Sequence, residues 1–202
     1  MKNLEKHMEK LRLQVYPEPK FKYHERIIDS AIKNFLKGEY NGVLDIGVGT
    51  FYAFKRFVEM GMKPIGITLN KDEVREGTFN GYDVRLMDMN DLGFDDESFD
   101  LVWCRHVLEH SVMPMIALME AKRVLRINGY LYVEVPSDNV IHIDNANHYS
   151  MFSDAAWQSL FRKVGMTLLF RGQVAINILG DKQRIGYVDI YWQYWLKNMG
   201  DK

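Results

Sequence analysis

The 202-residue chain contains one cysteine, Cys104. An intrachain disulfide is therefore excluded, and no Cys/His spacing resembles a zinc site. No metal is expected, and a reducing, cytoplasmic setting fits this cysteine usage. Charge of one sign is also missing: 26 Lys+Arg stand against 27 Asp+Glu, a net charge of −1. Such a balance provides no general attraction for a polyanion, so no nucleic acid partner is expected. The first 26 residues hold seven Lys/Arg, but four Glu alternate with them, as on a solvated helix face. No run of about 20 apolar residues exists to span a membrane, and the opening MKNLEKHMEKLRLQVY carries charges where a signal peptide needs a continuous apolar stretch. Repeats, low-complexity stretches and Pro/Gly-rich linkers are absent, which argues against two domains. What is present is 47% hydrophobic residues with 11 Phe, 11 Tyr and 4 Trp, enough apolar surface for a core without staples.

Leu4, Met8, Leu11 and Val15 recur at helical spacing over Asn3–Leu13 and beyond. After the break at Tyr16-Pro17-Glu18-Pro19, a second helical pattern runs from Lys22 to Lys37 and stops at Gly38. Residues 1–40 are thus expected to form a helical cap on a domain spanning 41–202. Short apolar runs follow at Gly42–Ile46, Lys63–Leu69, Asp83–Met87, Phe99–Cys104 and Tyr130–Val135. Helical stretches are expected at Tyr52–Met60, Asp72–Glu76, Val112–Arg126 and Ser153–Val164. Strands separated by helices imply right-handed crossovers and a doubly wound, mostly parallel α/β sheet. The tail breaks this rhythm, because Met166–Gln173 and Ile185–Trp192 are joined by a loop too short for a crossover helix and should pair antiparallel.

Ligands of doubly wound sheets bind beyond the carboxyl ends of the strands, and the first strand-to-helix turn usually holds part of the ligand. That turn here is VLDIGVGTF, Val43 to Phe51. Gly47 and Gly49 allow tight backbone angles and close approach, and the next helix N-terminus offers free N–H groups. The dinucleotide fingerprint wants a third glycine where this chain has Tyr52, so a dinucleotide fits poorly. Asp45, two residues before Gly47, suits a ligand bearing an ammonium group, although a strand-end Asp can also simply cap a turn.

From about Asn41 to Gly165 the chain resembles class I S-adenosylmethionine-dependent methyltransferases of the small-molecule type. VLDIGVGT resembles the first motif of that family, MDMNDLGFDDESFDLVWCRHVLEH (Met87 to His110) the stretch from the adenine-binding acid through the fourth strand, and EAKRVLRINGYLYVEVP (Glu120 to Pro136) the helix and fifth strand that follow. The resemblance implies a Rossmann-like, seven-stranded sheet with an antiparallel C-terminal strand, and S-adenosyl-L-methionine as cofactor. By the same resemblance Asp45, Gly47, Gly49 and Thr50 would hold the amino acid end of the cofactor. Asp88 would accept from the adenine amino group, Met89 would touch the ring, and Arg105 and His106 would pass under the methionine part. His106 reads equally as a packed strand-end histidine. The second strand departs from the pattern: Thr68 and Leu69 stand where most members carry a ribose-binding acid. GITLNKDE is similar to the corresponding stretch of cyclopropane-fatty-acid-type methyltransferases, and by that match Glu73 would supply the carboxylate. The alternative is a solvated first-turn Glu favoured by the helix dipole.

A sulfonium is already an activated methyl donor, so the protein must chiefly align the reactants, exclude water and, for some acceptors, take up a proton. Candidate bases are His110 and His148, with His142 a third, and each reads also as a structural histidine. Tyr16, Tyr23, Phe51 and Tyr52 are placed to cover the cofactor or to join the core. YVDIYWQYWL, Tyr187 to Leu196, should pack one alternating set inward and offer the other as a candidate homodimer surface. The expected activity is methyl transfer to an oxygen, nitrogen or carbon of a small-molecule acceptor. The alternatives are a catalytically silent binder of the same cofactor and a cyclopropane-type lipid enzyme, the latter suggested by Glu109 in VLEH.

Overall fold

A computed structural model of the chain describes residues 6–7, 22–178 and 187–200. Apart from Lys6 and His7, the expected helix over Asn3–Leu13 lies outside these residues, as do Tyr16, Ile185 and the loop at Gly180-Asp181. Helix α1 spans Lys22–Phe35, and an alternation of strand and helix follows: β1 Val43–Ile46, α2 Tyr52–Glu59, β2 Pro64–Thr68, α3 Lys71–Phe79, β3 Asp83–Leu86 and β4 Phe99–Arg105. A 3-10 turn at Leu108–His110 precedes α4 Pro114–Val124, β5 Leu125–Pro136, the short α5 Val140–Ile143, α6 Asp154–Lys163, β6 Met166–Ile178 and β7 Tyr187–Asn198. These strands make one seven-stranded sheet in the order β3-β2-β1-β4-β5-β7-β6. The first five run parallel, and β7 is antiparallel to both β5 and β6. Chain order reverses between β1 and β4, so the crevice where such sheets bind ligands opens at the tips of these two strands. Among the described residues no helix is long and apolar enough to cross a membrane.

Alternation along the strands sorts side chains onto two faces. On one face Leu44, Ile46, Val102, Cys104 and Leu131 pack with Leu118 of α4 and Trp157 and Phe161 of α6. On the other face Val43, Trp103, Tyr132 and Trp195 pack with Ile28, Ala31 and Ile32 of α1 and Phe57 of α2. Helix α1 forms because its apolar residues recur on one stripe and can be buried there. At about 25 cal/mol per Å² of apolar area, this burial contributes far more than intrinsic helix propensity.

The elements differ from the sequence expectation mainly at their ends. Helix α3 runs to Phe79, beyond the expected Glu76, and passes straight through Gly77. A Cβ there would lie 2.6 Å from Val84 Cγ2, so the glycine is set by close helix–strand contact and does not end the helix. Helix α4 is shorter than the expected Val112–Arg126, because Leu125 already has extended backbone angles and opens β5. Asn128, with φ of 69°, and Gly129 therefore interrupt β5, where the pairing jumps from Phe99 opposite Leu125 to Leu101 opposite Tyr130. The tail strands are longer than the patterns Met166–Gln173 and Ile185–Trp192 suggested.

Candidate functional site

The turn after β1 builds the centre of the site. Gly47 has φ of 76° and Gly49 of 46°, angles that side-chain-bearing residues rarely adopt. At Gly47 a Cβ would also come within 2.5 Å of Val107 Cγ2, so the turn lies directly against the loop after β4. Beside the turn opens a shallow cleft lined by Asp45, Gly47, Thr50, Tyr52, Trp103 and Arg105, with Ile28 of α1. Asp45 sits between Gly66 of β2 and Trp103 of β4 in the sheet register, and it is buried. The indole Nε1 of Trp103 is buried without a hydrogen-bond partner among the described residues. Tyr52 does not close the cleft, because its hydroxyl donates to Asp29 Oδ2 at 2.9 Å and is anchored on α1. Arg56 donates to the other oxygen of the same carboxylate at 2.8 Å, fastening α2 to α1. Phe51 takes the core alternative: it is buried in edge-to-face contact with Phe54.

Of the residues expected to hold the cofactor, Asp45, Gly47, Thr50 and Arg105 line this cleft together. Thr68, Leu69, Glu73, Asp88 and Met89 sit apart from its wall, at the tips of the neighbouring strands β2 and β3. There Glu73 does not extend into solvent. Thr68 Oγ1 donates to Glu73 Oε2 at 2.6 Å, and Asn70 Nδ2 donates to Oε1 at 3.2 Å, so the first turn of α3 brings a carboxylate to the end of β2. Asp88 is buried and caps its own turn, accepting from Asn90 N at 2.9 Å and Asn90 Nδ2 at 2.8 Å through Oδ1. Met89 is half-buried against the main core.

Beyond β4 lies a polar cluster that sequence reasoning largely missed. Glu134 of β5 is fully buried; Tyr132 and Gln193 each donate to its Oε2 at 2.7 Å. Arg105 pairs with its other oxygen, and His106 Nε2 lies 3.2 Å from that same atom. Burial alone would raise the carboxyl pKa, but the Arg105 guanidinium and these hydrogen bonds hold it well below the usual carboxylate range. His106 has φ of 53° and packs edge-on to Tyr191 at 4.6 Å. Burial, reinforced by Arg105, lowers its pKa to about 4, so its imidazole is neutral at pH 7. Tyr191 donates to Asp189, which His142 Nε2 approaches at 2.7 Å on its other oxygen. In the tail, Asp189 and Tyr191 are therefore the inward set, while Trp192 on the other face lies under Arg171 at 4.3 Å. An acid inside the apolar run YLYVEVP was the one available signal for Glu134.

His110 and His148 do come together, with ring centroids 5.0 Å apart. Burial, then the nearby His110, lowers the pKa of His148 to about 4. His142, the third candidate, is 6.1 Å from His148 by ring centroids but is committed to Asp189.

Residues 44–133 match a protein family described as a methyltransferase domain. An uncharacterized protein of Methanocaldococcus jannaschii is 34% identical over 92 residues, which is 46% of this chain and 43% of that protein. The chain thus spans less than half the length of this curated relative. Among solved structures, a Bacillus halodurans protein with a provisional methyltransferase assignment superposes with a TM-score of 0.76 at 15% identity, covering 86% of this chain and 99% of that one. A SAM-dependent methyltransferase of Methanosarcina mazei gives 0.69 at 15% identity, covering 84% and 97%. Identities this low speak to the fold alone.

Proposed function

We propose that the chain is a class I S-adenosylmethionine-dependent methyltransferase, a reading supported by the match of residues 44–133 to a methyltransferase domain and by the fold, and that it methylates an oxygen, nitrogen or carbon of a small molecule. One observation carries the reading: a carboxylate and a guanidinium, Asp45 and Arg105, face one cleft at the point where strand order reverses. That pair is complementary to the ammonium and carboxylate of an amino acid. Trp103 Nε1, buried beside them and unpartnered among the described residues, is a further donor suited to a polar ligand. The donor set therefore fits the methionine end of the cofactor.

Asp45, Thr50 and Arg105 would hold that end, with Gly47 and Gly49 letting the backbone approach closely. Glu73, held by Thr68 and Asn70, would take the ribose hydroxyls, and Asp88 with Met89 the adenine. When bound, S-adenosylmethionine supplies a methyl carbon already activated for in-line displacement. The protein is left to orient the acceptor, keep water out and accept a proton where the acceptor has one to lose. Trp103, Tyr52 and Ile28 would supply the apolar surface of the cleft against the bound cofactor. His110 and His148, with ring centroids 5.0 Å apart, are the side chains we place nearest the acceptor.

The test is calorimetry of the purified chain with S-adenosylmethionine, S-adenosylhomocysteine and NAD, followed by transfer of labelled methyl groups into fractionated small-molecule extracts. Binding of the two sulfur nucleosides and labelling of one fraction are expected. Binding of NAD alone would overturn the reading.

A further inference from the structure

The 3-10 turn after β4 and the loop before α6 are held together by main-chain bonds. Tyr149 N and Ser150 N both donate to Glu109 O, at 2.8 and 3.0 Å, and Ser150 Oγ donates to Ser111 O at 2.6 Å. This clamp places Glu109, His110 and His148 side by side, with one potential ligand atom of each within 4.8 Å of the others. Glu109 is buried and both histidines are half-buried, so the group is not a solvated surface cluster.

The tautomers are set from behind. His110 Nδ1 lies 2.8 Å from Asn147 O, and His148 Nδ1 lies 2.8 Å from His142 O. A carbonyl oxygen can only accept, so both imidazoles carry a proton on Nδ1 and present Nε2 as the ligand atom. Ligating histidines in metal sites are oriented in this way, with the far N–H given to a backbone carbonyl or carboxylate. At His148 the lone pair now receives Asn145 Nδ2 at 3.2 Å, one neutral hydrogen bond to be exchanged for a metal bond.

We propose that Glu109, His110 and His148 bind one divalent transition-metal ion, zinc being the first candidate, with an open coordination position for an oxygen of the acceptor. Two imidazoles and one carboxylate are the donor set of catalytic zinc sites and of facial-triad sites, both of which leave positions open. Bonds of about 2.0–2.2 Å put ligand atoms roughly 3–4 Å apart, against the 4.8 Å within which one potential ligand atom of each residue now lies. A divalent ion there lowers the pKa of a coordinated hydroxyl, which narrows the acceptor to an alcohol or phenol. The ion site stands on these residues alone, whereas its use on an acceptor rests on the methyl-transfer reading above. Sequence inspection could not reveal it, because Glu109-His110 and His148 are brought together only by the loop clamp.

The whole chain, stripped with EDTA, is titrated with zinc by calorimetry and with cobalt by visible absorption, and S-adenosylhomocysteine binding is measured on the same samples. One equivalent of zinc and the visible bands of low-coordinate cobalt are expected. His110→Ala, His148→Ala and Glu109→Gln should each lose more than the roughly 10–100-fold in affinity that an outer-shell change costs. His7→Ala, an exposed position, is the control. Retained nucleoside binding in the variants shows that they are folded. Less than one equivalent of zinc with no cobalt spectrum, or uptake unchanged in the His110→Ala/His148→Ala pair, overturns the site. A chain that takes up zinc but no sulfur nucleoside keeps the ion site and removes the methyl-transfer reading instead.

Discussion

Arg105 Nε lies 2.7 Å from Glu134 Oε1, with the two side chains only 6% and 0% exposed. A pair this deep loses much of its Coulombic gain to desolvation, and what makes it tolerable is that Tyr132, Gln193 and His106 also bond the carboxylate. The same arginine forms one wall of the cleft, so the network that stiffens the centre of the sheet also fixes a cation beside the ligand.

Removing one partner of this pair should cost more than the pair contributes. Glu134→Ala leaves Arg105 buried without its counter-charge and is expected to lower stability by about 3–5 kcal/mol. Urea unfolding at unchanged slope reads this, and a loss below about 1 kcal/mol would show that water or a rearranged side chain compensates.

Cofactor affinity should depend on Asp45 far more than on its surface neighbours. Asp45→Ala removes a buried charged partner, worth about 1–3 kcal/mol, or roughly 5- to 150-fold in Kd by calorimetry. Unchanged affinity would place the ligand elsewhere.

Glu73 and Thr68 should act as one unit. If the proposed ribose contact is made, Glu73→Gln should weaken nucleoside binding, and Thr68→Val, which cannot donate to Glu73, should reproduce much of that loss. A double-mutant cycle should be clearly non-additive; strict additivity would mean that Glu73 does not reach the nucleoside by way of Thr68.

Metal-free protein should lose stability as the solution is acidified from neutrality. His106 and His148 have folded-state pKa values of about 4, below the usual 6.5. Between these values the unfolded chain takes up protons that the folded chain does not, so stability falls with pH from about 6.5 towards 4. Below that range the carboxylates held low by their partners, Glu134 and Asp189, add further loss. Urea midpoints across pH 7 to 4 measure the slope, which should be shallower in His148→Gln. A flat profile would contradict the neutral, buried state of both rings.

Arg123 ties the loop after β3 to α4. It donates to Leu92 O and Phe94 O, both at 2.7 Å, and pairs with Glu120 and Asp96. Arg123→Ala is expected to cost about 2–3 kcal/mol by thermal or urea unfolding, because two loop carbonyls lose charged donors. A loss of only a few tenths would mean that water replaces it.

Periodicity and turn chemistry are local properties, and they were legible. Apolar runs spaced by helical stretches dictated the order of β1 to β5, and the Gly47/Gly49 turn with Asp45 pointed to the ligand end of the sheet. Element ends were less so, because Gly77 reads locally as a helix end while packing against Val84 keeps the helix going. Glu73 shows the same limit in the site. Its hydrogen bond from Thr68 at the end of the adjacent strand could not be read from the local sequence, where it is a first-turn acid like any other.

The amino-acid order by itself determined the doubly wound sheet and the first motif, since both follow from residues a few positions apart. Tertiary structure alone decided which distant groups share one space: Arg105 with Glu134, Asp189 with His142, and Glu109 and His110 with His148. The reason is physical. Burial and through-space charge depend on which strands and loops become neighbours, and sheet order β4-β5-β7 brings together residues that lie far apart along the chain.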